Sequence, residues 1–69
     1  MTLRPDLAAI AAHVTPGSRV LDIGCGDGAL MAELESASGC DARGMELDGE
    51  LVERCVSRGL SVVQGDANV

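Results

Sequence analysis

The residues with the most chemical potential form a glycine-rich loop, in which Gly24, Gly26 and Gly28 alternate with Cys25 and Asp27. The loop follows an apolar segment typical of a buried strand, and helix-forming residues come after it. Glycine permits positive φ and lets a ligand approach the backbone closely. A strand, a tight turn and a helix N-terminus together present backbone N–H groups to a polar or anionic ligand. The loop therefore predicts a small-molecule site.

Three acidic residues, Asp22, Glu46 and Asp66, fall at the ends of the predicted strands. In open α/β sheets, the carboxyl ends of the strands form the edge where ligands bind. Glu46 lies 22 residues after Gly24, close to the offset of about 20 residues at which an acid meets ribose hydroxyls. One carboxylate can accept from both hydroxyls. Asp66 could accept from an adenine amine, and Asp22 could hold an ammonium group or an ordered water beneath the loop.

Each acid also has a purely structural interpretation. Asp22 could accept from the loop's own N–H groups, and Glu46 could be a solvated residue at a strand end. Asp66 could form an Asx turn after a strand. The coincidence of three acids at one edge favours a binding role, whereas we interpret Asp27 and Asp48 as turn and helix-cap residues.

The spacing of the glycine loop separates two kinds of nucleotide site. Dinucleotide-binding loops follow G-x-G-x-x-G, with two residues between the second and third glycines. This loop reads G-x-G-x-G and has only one residue between Gly26 and Gly28. A nicotinamide-dependent oxidoreductase fragment, binding NAD, is therefore a disfavoured alternative. Cys25 has no base partner in view that would make it a nucleophile. We interpret it as a small residue tolerated beside the ligand.

The composition limits the compartment and the kinds of partner. A chain of 69 residues forms one compact unit at most, and its net charge of −6 argues against nucleic acid. The absence of Phe, Tyr and Trp removes the side chains that stack on bases. Three cysteines without a CxxC pair favour a reducing, cytoplasmic location over a disulfide framework or a zinc site, and we predict no metal. The apolar segment 7–14 is too short for a signal sequence or a membrane span.

Six elements of alternating type position the loop and the acids. Short connections imply parallel strands joined by right-handed crossovers. The predicted fold class is α/β, a Rossmann-like three-layer half-domain whose partial parallel sheet has the order 3-2-1, with helices mainly on one face. The predicted strands are 19–23, 42–47 and 60–64. The first predicted helix ends before Thr15 and has apolar residues at helical spacing, namely Leu3, Leu7, Ile10, Ala11 and Val14. The second predicted helix spans 29–38. The third begins at the cap Asp48, ends at Gly59 and turns Leu51, Val52, Cys55 and Val56 inward.

Segments 22–28, 44–48 and 64–67 resemble the first three motifs of the class I S-adenosylmethionine-dependent methyltransferases. More narrowly, segments 3–7, 16–22, 58–60 and 64–66 resemble the MetW family of methionine biosynthesis. The resemblance covers nearly the whole chain. It implies that the glycine loop faces the methionine part of the cofactor, Glu46 the ribose and Asp66 the adenine. It also implies a role in methionine biosynthesis alongside a homoserine acyltransferase partner.

The resemblance implies S-adenosylmethionine as the cofactor and methyl transfer as the activity of the full-length protein. The alternative in another class is a non-catalytic partner or regulator of the acyltransferase that retains the fold. No catalytic residue can be assigned. The cofactor-binding residues that the resemblance implies are Asp22, Gly24, Cys25, Gly26, Gly28, Glu46, Leu47, Asp66 and Ala67.

The superfamily's sheet continues beyond the three strands predicted here, so we interpret residues 1–69 as the N-terminal, cofactor-binding half of a single truncated domain. The next strand of the superfamily supplies groups around the methyl acceptor, and we expect the fragment to be inactive. The helices of the second sheet face also follow the third strand, which leaves one face bare. We expect the fragment to self-associate through that face or through the edge strand. The candidates for exposure are Val20, Leu21, Ile23, Met45, Leu47, Leu60, Val62 and Val63.

Overall fold

The computed structural model describes residues 5–66, which alternate between helix and strand. The elements are α1 (Pro5–Ala12), β1 (Arg19–Ile23), α2 (Ala29–Ser38), β2 (Asp41–Glu46), α3 (Gly49–Ser57) and β3 (Ser61–Gln64). All strand pairs are parallel, and the order β1-β2-β3 is the predicted 3-2-1 arrangement seen from its other edge. Both α/β class and strand order are therefore confirmed. The bounds of β1 and α2 are as predicted, whereas β2 lies one residue earlier and β3 begins one residue later.

Acidic side chains accept backbone N–H groups at the start of the two helices that follow strands, Asp48 as the N-cap of α3 and Asp27 in the turn before α2. Asp48 accepts hydrogen bonds at Oδ1 from the backbone N–H groups of Glu50 (2.9 Å) and Leu51 (3.4 Å), which fixes the start of α3. Asp27 accepts from the N–H of Ala29 at 3.1 Å. These contacts confirm the interpretation of Asp27 and Asp48 as turn and cap residues, because a side-chain oxygen satisfies N–H groups that lack an intrahelical partner.

Two glycines let the helices pack closely on the sheet. A Cβ atom at Gly44 would lie 2.7 Å from Met31 Sδ and 2.8 Å from Cys25 Sγ. A Cβ atom at Gly28 would collide with the Leu60 side chain, and the φ of this residue is +85°. A glycine lowers the strand propensity of β2 at position 44. The close approach of Met31 and Cys25 shows that α2 can pack this tightly only because residue 44 has no side chain.

One face of the sheet carries the core. Ala42 and Gly44 of β2 are buried on this face, and the half-buried Val20 of β1 packs against the same cluster. The helices α2 and α3 contact this sheet, while α1 packs on α2. The buried apolar cluster consists of Cys25, Met31, Ala42, Cys55 and Leu60.

Two predicted apolar positions lie at the surface instead. Val56 of α3 is 59% exposed, so the prediction of an inward Val56 is wrong, and Ile10, which lies at the apolar helical spacing of α1, is 50% exposed. Cys55 fills the interior beside Leu60, which turns Val56 outward on the next helical position. The α1 helix packs mainly on α2, and within residues 5–66 Ile10 remains half exposed.

The opposite sheet face is bare in the part of the chain that the structure describes. Leu21, Ile23 and Val63 are 66%, 52% and 59% exposed, and they alternate along the strands with the core-facing residues. Their exposure confirms the expected bare side. Leu47 is also exposed, just after β2. Of the remaining candidates, Val20, Val62 and Leu60 belong to or pack against the core, and Met45 is half-buried. No helix within residues 5–66 has the length and apolarity needed to cross a membrane.

Candidate functional site

The fold brings Glu46 directly against the glycine loop. The N–H of Gly26 donates to Glu46 Oε1 at 2.8 Å, although the two residues are 20 positions apart in the chain. The N–H of Asp48 donates to the other carboxylate oxygen, Oε2, at 2.9 Å. These backbone donors, first that of Asp48 and then that of Gly26, lower the pKa of Glu46. The carboxylate is thus held charged and in place between two loops.

The backbone N–H groups of the loop are largely committed to the protein itself. A ligand anion would find few free donors there, and it would also meet the carboxylates of Asp27 and Glu46. The sequence pattern predicts donors for a polar or anionic ligand, whereas the structure presents negative side chains at this point. Five N–H groups donate internally: those of Gly24 and Cys25 to the Met45 carbonyl, that of Gly26 to Glu46, that of Gly28 to the Cys25 carbonyl and that of Ala29 to Asp27.

Asp22 lies beneath the loop at the end of β1 and is half-buried. Burial raises the pKa of this carboxyl group. Among residues 5–66, no N–H of the loop donates to the Asp22 side chain, so Glu46 and Asp27 fill the structural role considered for it. Asp22 lines a cleft of about 610 Å³ together with Gly24 and Gly26. A half-buried carboxylate facing such a cleft favours a cationic or hydrogen-donating group as its partner.

The side chain of Cys25 packs in the core, although Cys25 is also among the residues that line the cleft. It is 8% exposed, and its Sγ lies 4.0 Å from Cys55 Sγ. Burial, followed by the neighbouring Cys55, raises the pKa of Cys25 to about 12. The thiol is therefore protonated at neutral pH and reacts only slowly as a nucleophile. Any ligand contact from this residue would come from its backbone.

The end of β3 comes alongside Glu46. The N–H of Gly65 donates to the Glu46 carbonyl at 3.1 Å, which places the exposed Asp66 next to the same edge. Gln64 Nε2 donates to the Leu47 carbonyl at 3.2 Å and so positions the exposed turn after β2. Ala67 lies outside the described residues.

The structure thus collects Asp22, the glycine loop, Glu46 and Asp66 at one sheet edge, as the strand-end pattern predicts. Asp22 faces the cleft, whereas Glu46 and Asp66 do not line it and lie on the open surface beyond the loop. Two contributions were not predicted from the sequence. Gln64 positions the turn at Leu47, and a polar residue at the last strand position was the only signal for it. The double anchoring of Glu46 depends on backbone donors, which leave no signal in side-chain identity.

Comparison with protein families identifies one matching model. The model described as methionine biosynthesis protein MetW matches residues 4–69. Among curated proteins, the sterol 24-C-methyltransferase of Schizosaccharomyces pombe is 40% identical over 42 residues, which are 61% of this chain and 11% of that protein.

Solved structures share the fold. A TehB-like SAM-dependent methyltransferase from Corynebacterium glutamicum superposes with a TM-score of 0.81 at 30% identity, covering 99% of this chain and 38% of that one. A SAM-dependent methyltransferase from Thiobacillus denitrificans, solved with S-adenosyl-L-homocysteine, gives a TM-score of 0.74 at 28% identity, covering 94% and 31%. The chain therefore spans about a third of the length of these structures.

Proposed function

The chain belongs to the MetW family of methionine biosynthesis proteins, and from this premise we propose that residues 1–69 form the S-adenosylmethionine-binding half of a methyltransferase-like domain. The observation that carries the proposal is the Glu46 carboxylate, held against the glycine loop by the N–H groups of Gly26 and Asp48. Solved relatives described as SAM-dependent methyltransferases, one of them with S-adenosyl-L-homocysteine bound, support the choice of ligand.

The charge around the loop supports a cationic ligand over a dinucleotide. A pyrophosphate needs free N–H donors at the helix N-terminus, but the loop donors are committed internally and Asp27 already accepts the N–H of Ala29 at the start of α2. S-adenosylmethionine carries a sulfonium and an ammonium group, which the half-buried Asp22 can attract. The same observation disfavours an NAD-dependent oxidoreductase.

The proposed contacts follow from the positions of the side chains. Each oxygen of the Glu46 carboxylate accepts one backbone hydrogen bond and retains acceptor capacity for a ribose hydroxyl. Gly24, Cys25, Gly26 and Gly28 form the loop that faces the methionine part through its backbone. Leu47, Asp66 and Ala67 complete the proposed set on the adenine side.

Titration calorimetry of the full-length protein with S-adenosylmethionine, S-adenosylhomocysteine and NAD tests the ligand. We expect heat from the first two and none from NAD. Binding of NAD alone would contradict the assignment and favour the oxidoreductase.

We further propose that the full-length protein acts in methionine biosynthesis in the cytoplasm, beside a homoserine acyltransferase, with methyl transfer as its activity. The family description supports the pathway. Co-purification with the acyltransferase, together with a methyl-transfer assay, tests this: a stable complex without turnover would favour a non-catalytic regulator. For the 69 residues alone we propose no methyl transfer and weak cofactor affinity, because Leu47 and Asp66 on the proposed adenine side lie exposed and leave the ligand open to solvent.

A further inference from the structure

Two buried cysteines meet directly beneath the glycine loop, and the proposed function uses neither side chain. Cys25 lies in the loop after β1, Cys55 lies on α3, and their Sγ atoms are 4.0 Å apart. Both belong to the buried cluster, with exposed fractions of 8% and 0%. The third cysteine, Cys40, lies elsewhere, with its Sγ 3.7 Å from Ser18 Oγ and 3.7 Å from the Thr15 carbonyl.

We propose that Cys25 and Cys55 are a dithiol that oxidises reversibly to a disulfide beneath the glycine loop. A disulfide requires a sulfur separation of about 2 Å, so the two Sγ atoms must approach each other by about 2 Å from their present contact. The pairing joins the loop to α3 across the core. No other two thiols share a contact in the part of the chain that the structure describes.

The chemistry balances with a peroxide as the oxidant. The Cys25 thiolate, the more exposed of the two, attacks one oxygen of hydrogen peroxide, breaks the O–O bond and becomes a sulfenic acid with release of hydroxide. The Cys55 sulfur then attacks the sulfenic sulfur, which breaks the S–O bond and forms the S–S bond. Each thiol is oxidised by one electron, the peroxide is reduced, and the two thiol protons end in two molecules of water. A thiol reductant reverses the reaction by exchange.

Burial makes this oxidation slow at neutral pH. The desolvated Cys25 is flanked by the Cys55 thiol and by the carboxylates of Asp22 and Glu46, all of which oppose a thiolate. Because the thiolate is the attacking species, the rate should rise about tenfold per pH unit while Cys25 stays protonated.

The disulfide would also alter the loop itself. The Cys55 thiol donates to the Gly26 carbonyl at 3.2 Å, and the Gly26 N–H holds Glu46. Oxidation removes the thiol proton and draws the loop towards α3. Because this change would disturb the contact that holds Glu46, we expect weaker S-adenosylmethionine binding in the oxidised protein. This expectation rests on the proposed function.

The three thiols of residues 1–69 allow three pairings among themselves, and mapping these tests the proposal without any substitution. Cys40 lies 15 residues from each of the others, whereas Cys25 and Cys55 are 30 residues apart. In the unfolded chain, the shorter loops close about threefold more readily. Oxidation in urea should therefore favour pairings with Cys40. Oxidation of the native full-length protein with hydrogen peroxide should favour the Cys25–Cys55 pairing.

The product is identified by peptide mass spectrometry after free thiols are blocked with N-ethylmaleimide. Cleavage at arginine leaves Cys25 and Cys40 on one peptide, 20–43, so a second cleavage after Glu33 or Glu35 is needed to separate them. Cys40→Ala should oxidise like the wild type, whereas Cys25→Ala and Cys55→Ala should not form an internal disulfide. A native product dominated by Cys40 pairings, or no disulfide at any pH up to 10, would overturn the proposal. The mapping result stands even if S-adenosylmethionine does not bind.

Discussion

At the scale of single residues, Glu46 connects the two loops of the candidate site. Its carboxylate accepts from Gly26 in one loop and from Asp48 in the next. The geometry gives this acid a structural role as well as the proposed ligand role. Substitution should therefore affect both ligand affinity and acid stability, and these two effects can be measured separately.

Glu46→Ala in the full-length protein is expected to weaken S-adenosylmethionine binding about 10- to 150-fold, because a charge-assisted hydrogen bond to the ribose is lost. Asp66→Ala should cost less, since water can partly replace one contact to an adenine amine. Titration calorimetry provides the measurement. Asp41→Ala, which removes the same charge from the exposed start of β2, serves as the control. Equal affinity of Glu46→Ala and wild type would remove Glu46 from the site.

Because the pKa of Glu46 is lowered, we predict that the free energy of unfolding decreases in acid. A depressed folded-state pKa adds stability above the ordinary value of 4.5, and this contribution is lost as the pH falls through the lowered value. Glu46→Gln, which keeps one acceptor oxygen, should therefore unfold more easily than wild type near neutral pH and approach it below pH 4.5. Urea unfolding across this range measures the difference. A constant gap at every pH would contradict the role of the charge.

Asp22 should have the opposite effect on the pH dependence of stability. Burial raises its pKa in the folded state, so wild type loses stability as the pH rises through that raised value. Asp22→Asn should therefore be more stable than wild type at neutral pH, and the gain should vanish in acid. Its affinity for S-adenosylmethionine should fall at the same time, because the attraction for the cation is gone. A variant that is both less stable and unchanged in affinity would refute the proposed role of this carboxylate.

At the scale of elements, the packing of α3 and β3 against the loop depends on Gly28. Gly28→Ala is expected to destabilise the protein by about 2–4 kcal/mol, combining a left-handed backbone with a collision at Leu60 and a Cβ contact of 3.0 Å to Cys55 Sγ. Gly17→Ala is the matched control, since its φ is +77° but its Cβ would meet open space. It should cost about 1–2 kcal/mol. Equal losses in chemical denaturation would show that packing contributes nothing at Gly28.

The elements themselves could be predicted because their signals are local. The apolar run of β1, the turn at Asp27, the cap at Asp48 and the glycine at position 39 each fix a boundary through neighbouring residues. The orientation of Val56 could not be predicted, because it depends on how α3 meets Leu60 of the next segment. The inward turn of Cys25 has the same origin, since its partner Cys55 lies 30 residues away. Likewise, the acids at the strand ends were identifiable, whereas the donors that anchor Glu46 are backbone atoms.

At the scale of the whole molecule, the bare sheet face determines how the 69-residue chain should behave in solution. Leu21, Ile23 and Val63 share this face, and an exposed aliphatic patch of this kind promotes association. We expect the fragment to self-associate at micromolar concentration in sedimentation experiments. Val63→Lys should shift it towards monomer. Val56→Lys, at an equally exposed valine on α3, should leave the association unchanged. A monomeric wild-type fragment would contradict the expectation.

The buried cluster also governs the time at which this segment can fold during its own synthesis. Its members run from Cys25 to Leu60, and the last of them lies immediately before β3. On the ribosome, β1 and β2 can leave the exit tunnel while Cys55 and Leu60 are still inside it. Until Leu60 emerges, the nascent sheet has its interior half-filled and both faces open. The growing chain therefore passes through a stage at which chaperones have two aliphatic surfaces to recognise, and only one of these closes when β3 arrives.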